Sequence, residues 1–304
     1  MNIVWSFWSQ PFFEYYKESW YSPRHHLMSW ILSVKSAQQF YPDIYLHTDV
    51  RGKELLVDTL GLEFKKVFLT LEDIDKKHSR WWALGKLYTY LQQEEPFIHL
   101  DSDVYLSKPL SASLTAASLL VQNEEQVKIF SKSMGWYKPY QLHKILELTK
   151  GDFPEEWKWA IDHDQAIAYN CGIVGGQDVE FIKNYAQKAI DFIENKKNDM
   201  SWEIFSKLHG YRHAWLNILV EQYYLAACSR KKNEEMQSEG SAFNVRTLID
   251  DPSIPITSEF NNELGYTHLL GENKKDQSIA DELENIVKKQ YPELYERCEQ
   301  LVIT

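Results

Sequence analysis

The chain has 304 residues, of which 44 are acidic and 33 are basic, so its formal net charge at pH 7 is −11. It shows no basic cluster of the kind that neutralises a nucleic-acid backbone, which argues against nucleic acid as a partner. This length suits either two small domains or one large α/β domain with a substantial core.

Cysteine spacing and hydropathy indicate the cellular compartment in which the protein is expected. Cys171, Cys228 and Cys298 have no spacing typical of a zinc site or a disulfide framework, which favours a reducing compartment. The apolar segment Ile3–Trp8 is too short and too aromatic for a signal peptide and lacks a basic leader. No apolar run reaches the ~18 residues that a membrane span needs. We therefore predict a cytoplasmic protein without a transmembrane segment, and peripheral association with a membrane stays open.

The N-terminal part of the chain alternates between strand-like and helix-like segments, which predicts βαβ units and a largely parallel sheet. The first predicted strands are Asn2–Phe7, Asp43–Asp49 and Lys66–Leu69. Between the first two, Ser22 as N-cap and Pro23 at the first helical position predict the start of a helix. Another helix, over residues 82–92, leads directly into the next strand.

That strand is the apolar run Phe97–Leu100, and two carboxylates one residue apart, Asp101 and Asp103, follow it. In open α/β sheets, ligands gather in the crevice beyond the carboxyl ends of the strands. Carboxylate oxygens suit a hard divalent ion, Mg²⁺ or Mn²⁺, which also takes oxygens from phosphates. The pattern therefore predicts a metal site that handles a diphosphate, with a simple polar turn as the alternative.

After Asp103 the pattern becomes irregular and aromatic, as in long insertions that build substrate surfaces. Large aromatic side chains also fill cores, which is the alternative for this segment. The residues concerned are Trp136, Tyr137, Tyr140, Trp157 and Trp159. The run Tyr169–Gly176 is then typical of a strand whose glycines permit close backbone approach.

The rest of the chain predicts mostly helices. One helix has its buried stripe over residues 179–193, and another carries apolar positions from residue 215 to residue 225. The polar segment Ser229–Ser241 has no apolar stripe and is predicted to be a mobile loop. Tyr266–Lys274 is predicted to be a last short strand near the site, and the tail to form two amphipathic helices around Pro292.

Taken in chain order, four short motifs resemble those of metal-dependent nucleotide-sugar glycosyltransferases of the GT-A fold, particularly the glycogenin and lipopolysaccharide-galactosyltransferase group (glycosyltransferase family 8-like). Asp101-Ser102-Asp103 resembles the Asp-x-Asp motif. Asn170-Cys171-Gly172 is similar to an Asn-x-Gly motif near the acceptor, and Glu221-Gln222 resembles an Asp-Gln pair with Glu in place of Asp. His268–Lys274 resembles a closing His-x-x-Gly-x-x-Lys motif, although Lys275-Asp276 replaces the proline and tryptophan that often follow it.

The resemblance implies an α/β, GT-A-like domain over residues 1–275, with a Rossmann-type, mostly parallel sheet flanked by helices. Residues 1–106 are expected to bind the nucleotide sugar, residues 107–275 to bind the acceptor and complete the metal site, and residues 276–304 to form a helical tail. The implied activity is hexosyl transfer with retention. The donor is a nucleoside-diphosphate sugar, above all a UDP-sugar, and the acceptor is a carbohydrate, a lipid-linked glycan or a protein.

The same resemblance implies roles for individual residues. The expected ligands of Mn²⁺ or Mg²⁺, which would act as a Lewis acid on the departing diphosphate, are Asp101, Asp103 and His268. The nucleotide sugar is expected to contact Asp101, Asn170, Gly271 and Lys274, with Lys86 as a further candidate. The residues expected at the reacting sugar are Glu221 and Gln222, with Asp164 as the rival carboxylate. The alternative for Lys86 and the carboxylates is a solvated position on a helix, and for His268 a core position.

Two other classes of protein fit parts of this pattern. A haloacid-dehalogenase-like phosphatase also has Asp-x-Asp at a strand end, with the first Asp as nucleophile and the second as acid or base. That class expects Thr or Val where this chain has Tyr105, and it has no use for the late His268–Lys274 motif. The other class is a catalytically inactive carbohydrate- or nucleotide-binding module of the same fold, against which the intact Asp101, Asp103 and His268 argue.

Overall fold

The computed structural model of the chain describes residues 1–15, 19–127, 137–210, 213–249 and 264–301, so the predicted Trp136 lies outside the described residues. The strands are β1 (Asn2–Phe7), β2 (Ile44–Thr48), β3 (Lys66–Phe68), β4 (Phe97–Leu100), β5 (Val104–Leu106), β6 (Leu119–Val121), β7 (Glu124–Gln126), β8 (Ile167–Tyr169), β9 (Ile173–Gly176), β10 (Val245–Thr247) and β11 (Tyr266–His268). The α-helices are α1 (Ser9–Glu14), α2 (Pro23–Gln38), α3 (Val50–Lys53), α4 (Ala83–Leu91), α5 (Ala112–Thr115), α6 (Pro139–Thr149), α7 (Glu155–Asp162), α8 (Val179–Glu194), α9 (Asp199–Leu208), α10 (Ala214–Ile218), α11 (Tyr224–Ser238), α12 (Gln277–Gln290) and α13 (Pro292–Gln300). Short 3₁₀ segments occur at Lys76–His78, Lys196–Asn198 and Gly271–Lys275, and π-helical segments at Glu54–Thr59 and Leu219–Tyr223.

The chain divides into two compact units. Unit 1 comprises Met1–Arg80, Phe97–Thr115 and Ser253–Thr304, and unit 2 comprises Trp81–Pro96 and Ala116–Pro252. None of the helices in the described ranges combines the length and the apolar character that crossing a membrane requires. The predicted boundaries at residues 106 and 275 stay predictions.

Unit 1 contains four parallel strands in the order β4-β1-β2-β3. Ile3 of the central strand β1 lies opposite Ile44 of β2 and Ile98 of β4, and all three are fully buried. Helix α2 begins as predicted, with Ser22 as N-cap and Pro23 at the first helical position. The predicted α/β class, with mostly parallel strands flanked by helices as expected of a GT-A-like domain, is confirmed.

The predicted C-terminal helical tail is confirmed as α12 and α13, which pack on α2 in unit 1. Arg24 at the start of α2 forms an ion pair with Glu299 of α13 at 3.2 Å. The side chains that α12 buries are Ala280, Leu283 and Val287. The tail therefore contributes apolar packing to unit 1.

Unit 2 contains the strand order β10-β6-β9, in which β6 is parallel to β10 and antiparallel to β9. A separate antiparallel ribbon joins β7 and β8. Its helices share an aromatic core, in which the Phe192 ring centroid lies 5.5 Å from that of Trp157 and 5.1 Å from that of Trp202. Of the predicted aromatic insertion, Trp157 thus fills the core, whereas Trp159 is partly exposed.

The prediction of a mobile loop over Ser229–Ser241 is wrong, because α11 continues to Ser238. The segment is rich in Lys, Arg, Glu, Met and Gln, which have good helix propensity. Lys231 Nζ lies 2.5 Å from a carboxylate oxygen of Glu235, one turn later, and 3.2 Å from one of Glu155 in α7. Ion pairs on its surface therefore support this part of the helix in place of an apolar stripe.

The predicted close backbone approach in Tyr169–Gly176 occurs at Gly176, at the end of β9. Its φ is +144°, and a Cβ added there would lie 2.2 Å from the backbone oxygen of Ser118. Ser118 immediately precedes β6, the antiparallel neighbour of β9. The glycine therefore permits the packing of one chain segment of unit 2 against another.

We expect Gly176→Ala to lower the free energy of unfolding by more than about 3 kcal/mol, because it adds a backbone clash to an unfavourable φ. Gly240→Ala is the matched control, since Gly240 also has a positive φ (+77°) but nothing lies within 4 Å of the added Cβ. The control should lose only about 1–2 kcal/mol. Urea unfolding curves measure both, and equal losses would contradict the proposed clash.

Candidate functional site

The turn after β4 carries Asp101 and Asp103, and helix α2 holds its backbone in place. Ser33 Oγ donates a hydrogen bond to the carbonyl oxygen of Asp101 at 3.0 Å, and Ser29 Oγ donates to that of Ser102 at 2.7 Å. Ser29 and Ser33 are fully buried and four residues apart, so they lie on the same face of α2. Two hydroxyl groups therefore fix the turn from which both carboxylates project.

A β-ribbon brings His268 to this turn. β11 pairs antiparallel with β5, with His268 opposite Val104, the residue after Asp103. The backbone N–H of Leu269 donates to the carbonyl oxygen of Asp103 at 3.0 Å. As a result, His268 Nε2 lies 3.4 Å from Asp103 Oδ1.

The side chains of Asp101, Asp103 and His268 offer three ligand atoms that all lie within 4.8 Å of one another. We call these residues the metal group. Asp103 and His268 are buried, whereas Asp101 is partly exposed. Two carboxylate oxygens and one imidazole nitrogen suit a divalent ion that takes its remaining ligands from water or phosphate. The donor set therefore fits Mn²⁺ or Mg²⁺.

Lys274 adds a positive charge beside the metal group. Its ammonium forms an ion pair with Asp103 and lies 5.4 Å from the ring centroid of Trp20, and its carbonyl oxygen accepts a hydrogen bond from the backbone N–H of Tyr21 at 2.7 Å. Burial raises the pKa of Asp103, but the charges and hydrogen bonds of Lys274 and His268 outweigh burial and hold that pKa well below its usual range. Asp103 is therefore ionised although it is buried.

His26 lies beside the metal group and stays uncharged. Its ring stacks on Trp20 at a centroid distance of 5.1 Å, and its Nε2 lies 3.4 Å from Ser102 Oγ. Burial first and then the charge of Lys274 lower the pKa of His26 to about 3, against a smaller opposing effect of Asp103. His26 thus acts as a neutral stacking and hydrogen-bonding neighbour of the turn.

Unit 2 contains a buried ion pair between Lys86 of α4 and Glu221. Lys86 Nζ lies 2.6 Å from Glu221 Oε1 and donates to the carbonyl oxygen of Cys171 at 3.3 Å. The Lys86 side chain is 9% exposed and the Glu221 side chain 0%. The alternative of a solvated position on a helix surface is therefore wrong for both residues.

Glu221 lies in the π-helical segment between α10 and α11. Tyr185 of α8 donates its hydroxyl hydrogen to the carbonyl oxygen of Glu221 at 2.7 Å. Single π turns within α-helices are rare and occur frequently at functional sites. The local backbone at Glu221 is thus unusual and is held by a buried tyrosine.

The side chain of Gln222 belongs to a second polar cluster, with Glu125, Tyr137 and Asn170, which we call the Tyr137 network. The Tyr137 hydroxyl contacts the Gln222 side chain and lies 2.5 Å from Glu125 Oε2, and Asn170 Nδ2 donates to Glu125 Oε1 at 2.8 Å. Burial, followed by the charge of Glu125, raises the pKa of Tyr137 well above its ordinary value. The phenol therefore keeps its proton and acts as a hydrogen-bond donor.

Two predicted site residues, Asp164 and Gly271, belong neither to the metal group nor to the Tyr137 network. Asp164 is exposed, and its carboxylate accepts a hydrogen bond from the Tyr140 hydroxyl at 2.6 Å. Gly271 has a φ of +49° and begins a 3₁₀ segment. The strand predicted over Tyr266–Lys274 therefore does not extend that far, and β11 ends at His268. A Cβ added at Gly271 would meet no atom within 4 Å.

The structure thus brings together two sets of predicted residues, one in each unit. The set in unit 1 is Asp101, Asp103, His268 and Lys274, and the set in unit 2 is Lys86, Asn170, Glu221 and Gln222. The sequence analysis missed the residues that support them, which are Ser29, Ser33, His26, Glu125 and Tyr185. The four-residue spacing of the serines within an apolar helix was an available signal, whereas the other three have no local pattern.

We expect Lys86→Met to lower the free energy of unfolding by about 3–5 kcal/mol, because it leaves the charge of Glu221 buried without its ammonium partner. The double variant Lys86→Met/Glu221→Gln should recover part of this loss. Lys158→Met is the control, since Lys158 pairs with Asp162 on the surface of α7 and its loss should change stability little. Urea unfolding measures all three variants, and similar values for Lys86→Met and Lys158→Met would contradict the prediction.

Comparisons with known proteins give one family and a structural likeness. Residues 1–301 match a family described as "Family of unknown function (DUF6734)". No curated protein sequence matches the chain. Among solved structures, the chain is similar to the galactosyltransferase LgtC in complex with donor and acceptor sugar analogs, with 12% identity, a TM-score of 0.40, and coverage of 99% of this chain and 98% of that chain. It is also similar to an active-site mutant of LgtC, with 13% identity, a TM-score of 0.39, and coverage of 98% and 100%.

Proposed function

Since the chain belongs to DUF6734, a family of unknown function, we propose an activity from its own residues: metal-dependent transfer of a sugar from a nucleoside-diphosphate sugar to an acceptor. One observation carries this proposal, the convergence of Asp101, Asp103 and His268 with the ammonium of Lys274 beside them. The donor is proposed to be a UDP-sugar and the transferred group a hexose. The proposed acceptor is a carbohydrate, a lipid-linked glycan or a protein, and a cytoplasmic location stays a prediction.

Glycosyl transfer needs a stabilised leaving group, because negative charge develops on the departing diphosphate. A divalent ion held by Asp101, Asp103 and His268 would supply Lewis-acid stabilisation of that charge. Lys274 would add a fixed positive charge, and the open backbone at Gly271 would let phosphate oxygens approach its N–H. The ionised state of buried Asp103 supports this assignment, since only the carboxylate form binds a cation well.

The residues proposed to act on the transferred sugar are Lys86, Asn170, Glu221 and Gln222. Lys86 and Glu221 form a buried ion pair, and in the protein interior hydrogen bonds and charges act strongly. Gln222 is held by Tyr137, so its amide has a defined direction. We propose retention of configuration, with Gln222 and Glu221 stabilising the oxocarbenium-like state. Asp164 stays the rival carboxylate.

We expect Asp103→Asn and His268→Ala each to weaken Mn²⁺-dependent UDP binding by at least about tenfold, because each removes a ligand of the same ion. Calorimetric titration of UDP with and without Mn²⁺ measures this effect, and circular dichroism checks that the variants are folded. Asp43→Asn is the control, since Asp43 forms an exposed ion pair with Lys65. Unchanged metal-dependent binding in both site variants would remove the proposed metal site.

We expect Gln222→Ala to lower the turnover of the matching UDP-sugar, including slow hydrolysis to UDP, more than it weakens UDP affinity. An interaction made mainly in the transition state has this signature. Gln187→Ala is the control, because Gln187 only bonds Asp191 on the exposed surface of α8. Equal losses in affinity and in rate would instead make Gln222 a part of general ligand binding.

The products of the reaction separate the proposed transferase from the two alternatives. A transferase releases UDP from a UDP-sugar, and its Asp101 is never covalently modified. A phosphatase would form an aspartyl-phosphate at Asp101 and release inorganic phosphate from sugar phosphates. A binding module would bind UDP with metal and release neither product. Parallel assays for UDP and phosphate, with Mn²⁺ or Mg²⁺, therefore decide among the three.

A further inference from the structure

A groove in unit 2 is lined by residues outside the metal group, the Lys86–Glu221 pair and the Tyr137 network. Its volume is about 380 Å³, and its walls come from α7, α11, the β7–β8 ribbon and β10. Small-molecule sites commonly begin at ~300 Å³, so the groove can hold one or two sugar rings. We propose that it binds a neutral carbohydrate at a site separate from the candidate catalytic residues.

The register of the β7–β8 ribbon separates this groove from the Tyr137 network. Glu124 lies opposite Tyr169, and Glu125 lies opposite Ala168. Because neighbouring residues of a strand point to opposite faces, Glu124 and Tyr169 share one face while Glu125 points to the other. Glu124 and Tyr169 line the groove, whereas Glu125 bonds Tyr137. One face of the ribbon therefore lines the groove, and the other face belongs to the Tyr137 network.

The groove offers aromatic surface of the kind that binds the C–H faces of sugar rings. Trp159 supplies the partly exposed ring, whereas Tyr169 and Phe243 line the groove but are themselves only 3% and 6% exposed. Trp159 is partly exposed and its ring is stacked on His163 at 4.6 Å and 21°, so one face of the indole is covered and its orientation is fixed. A rigid indole loses little conformational entropy when a ligand stacks on it.

Around these rings lie planar polar groups that each have two hydrogen-bonding atoms side by side. The Trp159 indole N–H donates to Glu234 Oε2 at 2.8 Å, and Arg230 Nη2 lies 3.5 Å from Glu124 Oε1. Gln237 adds an exposed amide. Carboxylate, guanidinium and amide groups can each bond two adjacent hydroxyls of a sugar.

The charges favour a neutral ligand. Two carboxylates, Glu124 and Glu234, face the groove against one guanidinium, Arg230, so an anion such as a phosphate is disfavoured. Both carboxylates already have a hydrogen-bond partner, so neither requires a cationic ligand. A neutral glycan satisfies these groups with its hydroxyls while the C–H face of one sugar ring contacts the indole of Trp159.

The features of the groove support this proposal without the proposed function. If the chain transfers sugars, the groove also has a role in binding the acceptor. In that case, the groove would bind one part of a glycan acceptor and leave another part of the same glycan free to react. Tethering of this kind raises the effective concentration of the acceptor without any change in the reacting groups.

The experiment uses the full chain in EDTA without nucleotide, so that neither metal nor donor binding contributes. Saturation-transfer NMR and calorimetry test lactose, maltose, cellobiose and N,N′-diacetylchitobiose. We expect at least one disaccharide to bind and Trp159→Ala to weaken it about tenfold. Gln237→Ala, an exposed change that leaves the aromatic rings in place, should weaken it as well. Trp215→Ala is the matched control, since Trp215 is also partly exposed beside a histidine, His209 at 4.6 Å, but does not line the groove.

Binding that Trp159→Ala and Gln237→Ala weaken and Trp215→Ala leaves unchanged supports the proposal. No binding of any disaccharide, or equal binding by wild type and both groove variants, overturns it. Binding of adenosine in place of the disaccharides, lost in Trp159→Ala, also overturns it and indicates a nucleobase site. Because metal and UDP are absent, each result is independent of whether the metal group binds UDP.

Discussion

Asp103 carries a negative charge in a buried position, and its neighbours Lys274 and His268 stabilise that charge. Burial alone raises the pKa of a carboxyl group, and only a nearby positive charge or several hydrogen bonds reverse the effect. Lys274 and His268 provide both, and they come from a distant part of the chain. The pairing of β11 with β5 is therefore an electrostatic requirement as well as a packing one. Without these partners, burial would act alone and raise the pKa of Asp103.

Unit 2 handles a buried charge differently. Glu221 is fully buried, and Lys86 neutralises it at 2.6 Å, so the pair has no net charge to attract an ion. The pair has a fixed orientation, because the Tyr185 hydroxyl donates to the backbone carbonyl oxygen of Glu221 at the π turn and Lys86 donates to the carbonyl oxygen of Cys171. Such preorganised groups stabilise charge as it develops in a reaction, since they need no reorganisation. Unit 1 thus has a donor set that suits a divalent cation, and unit 2 has a neutral, oriented ion pair.

The parts of the fold and site that sequence predicts are those with a local pattern. The apolar run before Asp101 is short, unbroken and followed by charge, and it forms β4 as expected. His268 was accessible only through the spacing of a motif, because its approach to Asp103 depends on a β-ribbon between distant segments. Glu125 has no local motif, and Tyr137 stands out in the sequence only as one residue of an aromatic segment, because no short pattern encodes the contact between them. The prediction for Ser229–Ser241 was wrong because it rested on the missing apolar stripe, whereas helix propensity and ion pairs, one of them to α7, support a helix there.

The register of the β7–β8 ribbon connects these observations in unit 2. A shift of one residue would turn Glu124 toward the Tyr137 network and Glu125 toward the groove, because side chains alternate along a strand. Each carboxylate has partners on its present side, Arg230 for Glu124 and Tyr137 with Asn170 for Glu125. A shifted ribbon would therefore separate two half-buried carboxylates from these partners at once. The same hydrogen bonds that organise the candidate site thus specify the register of the strand that carries it.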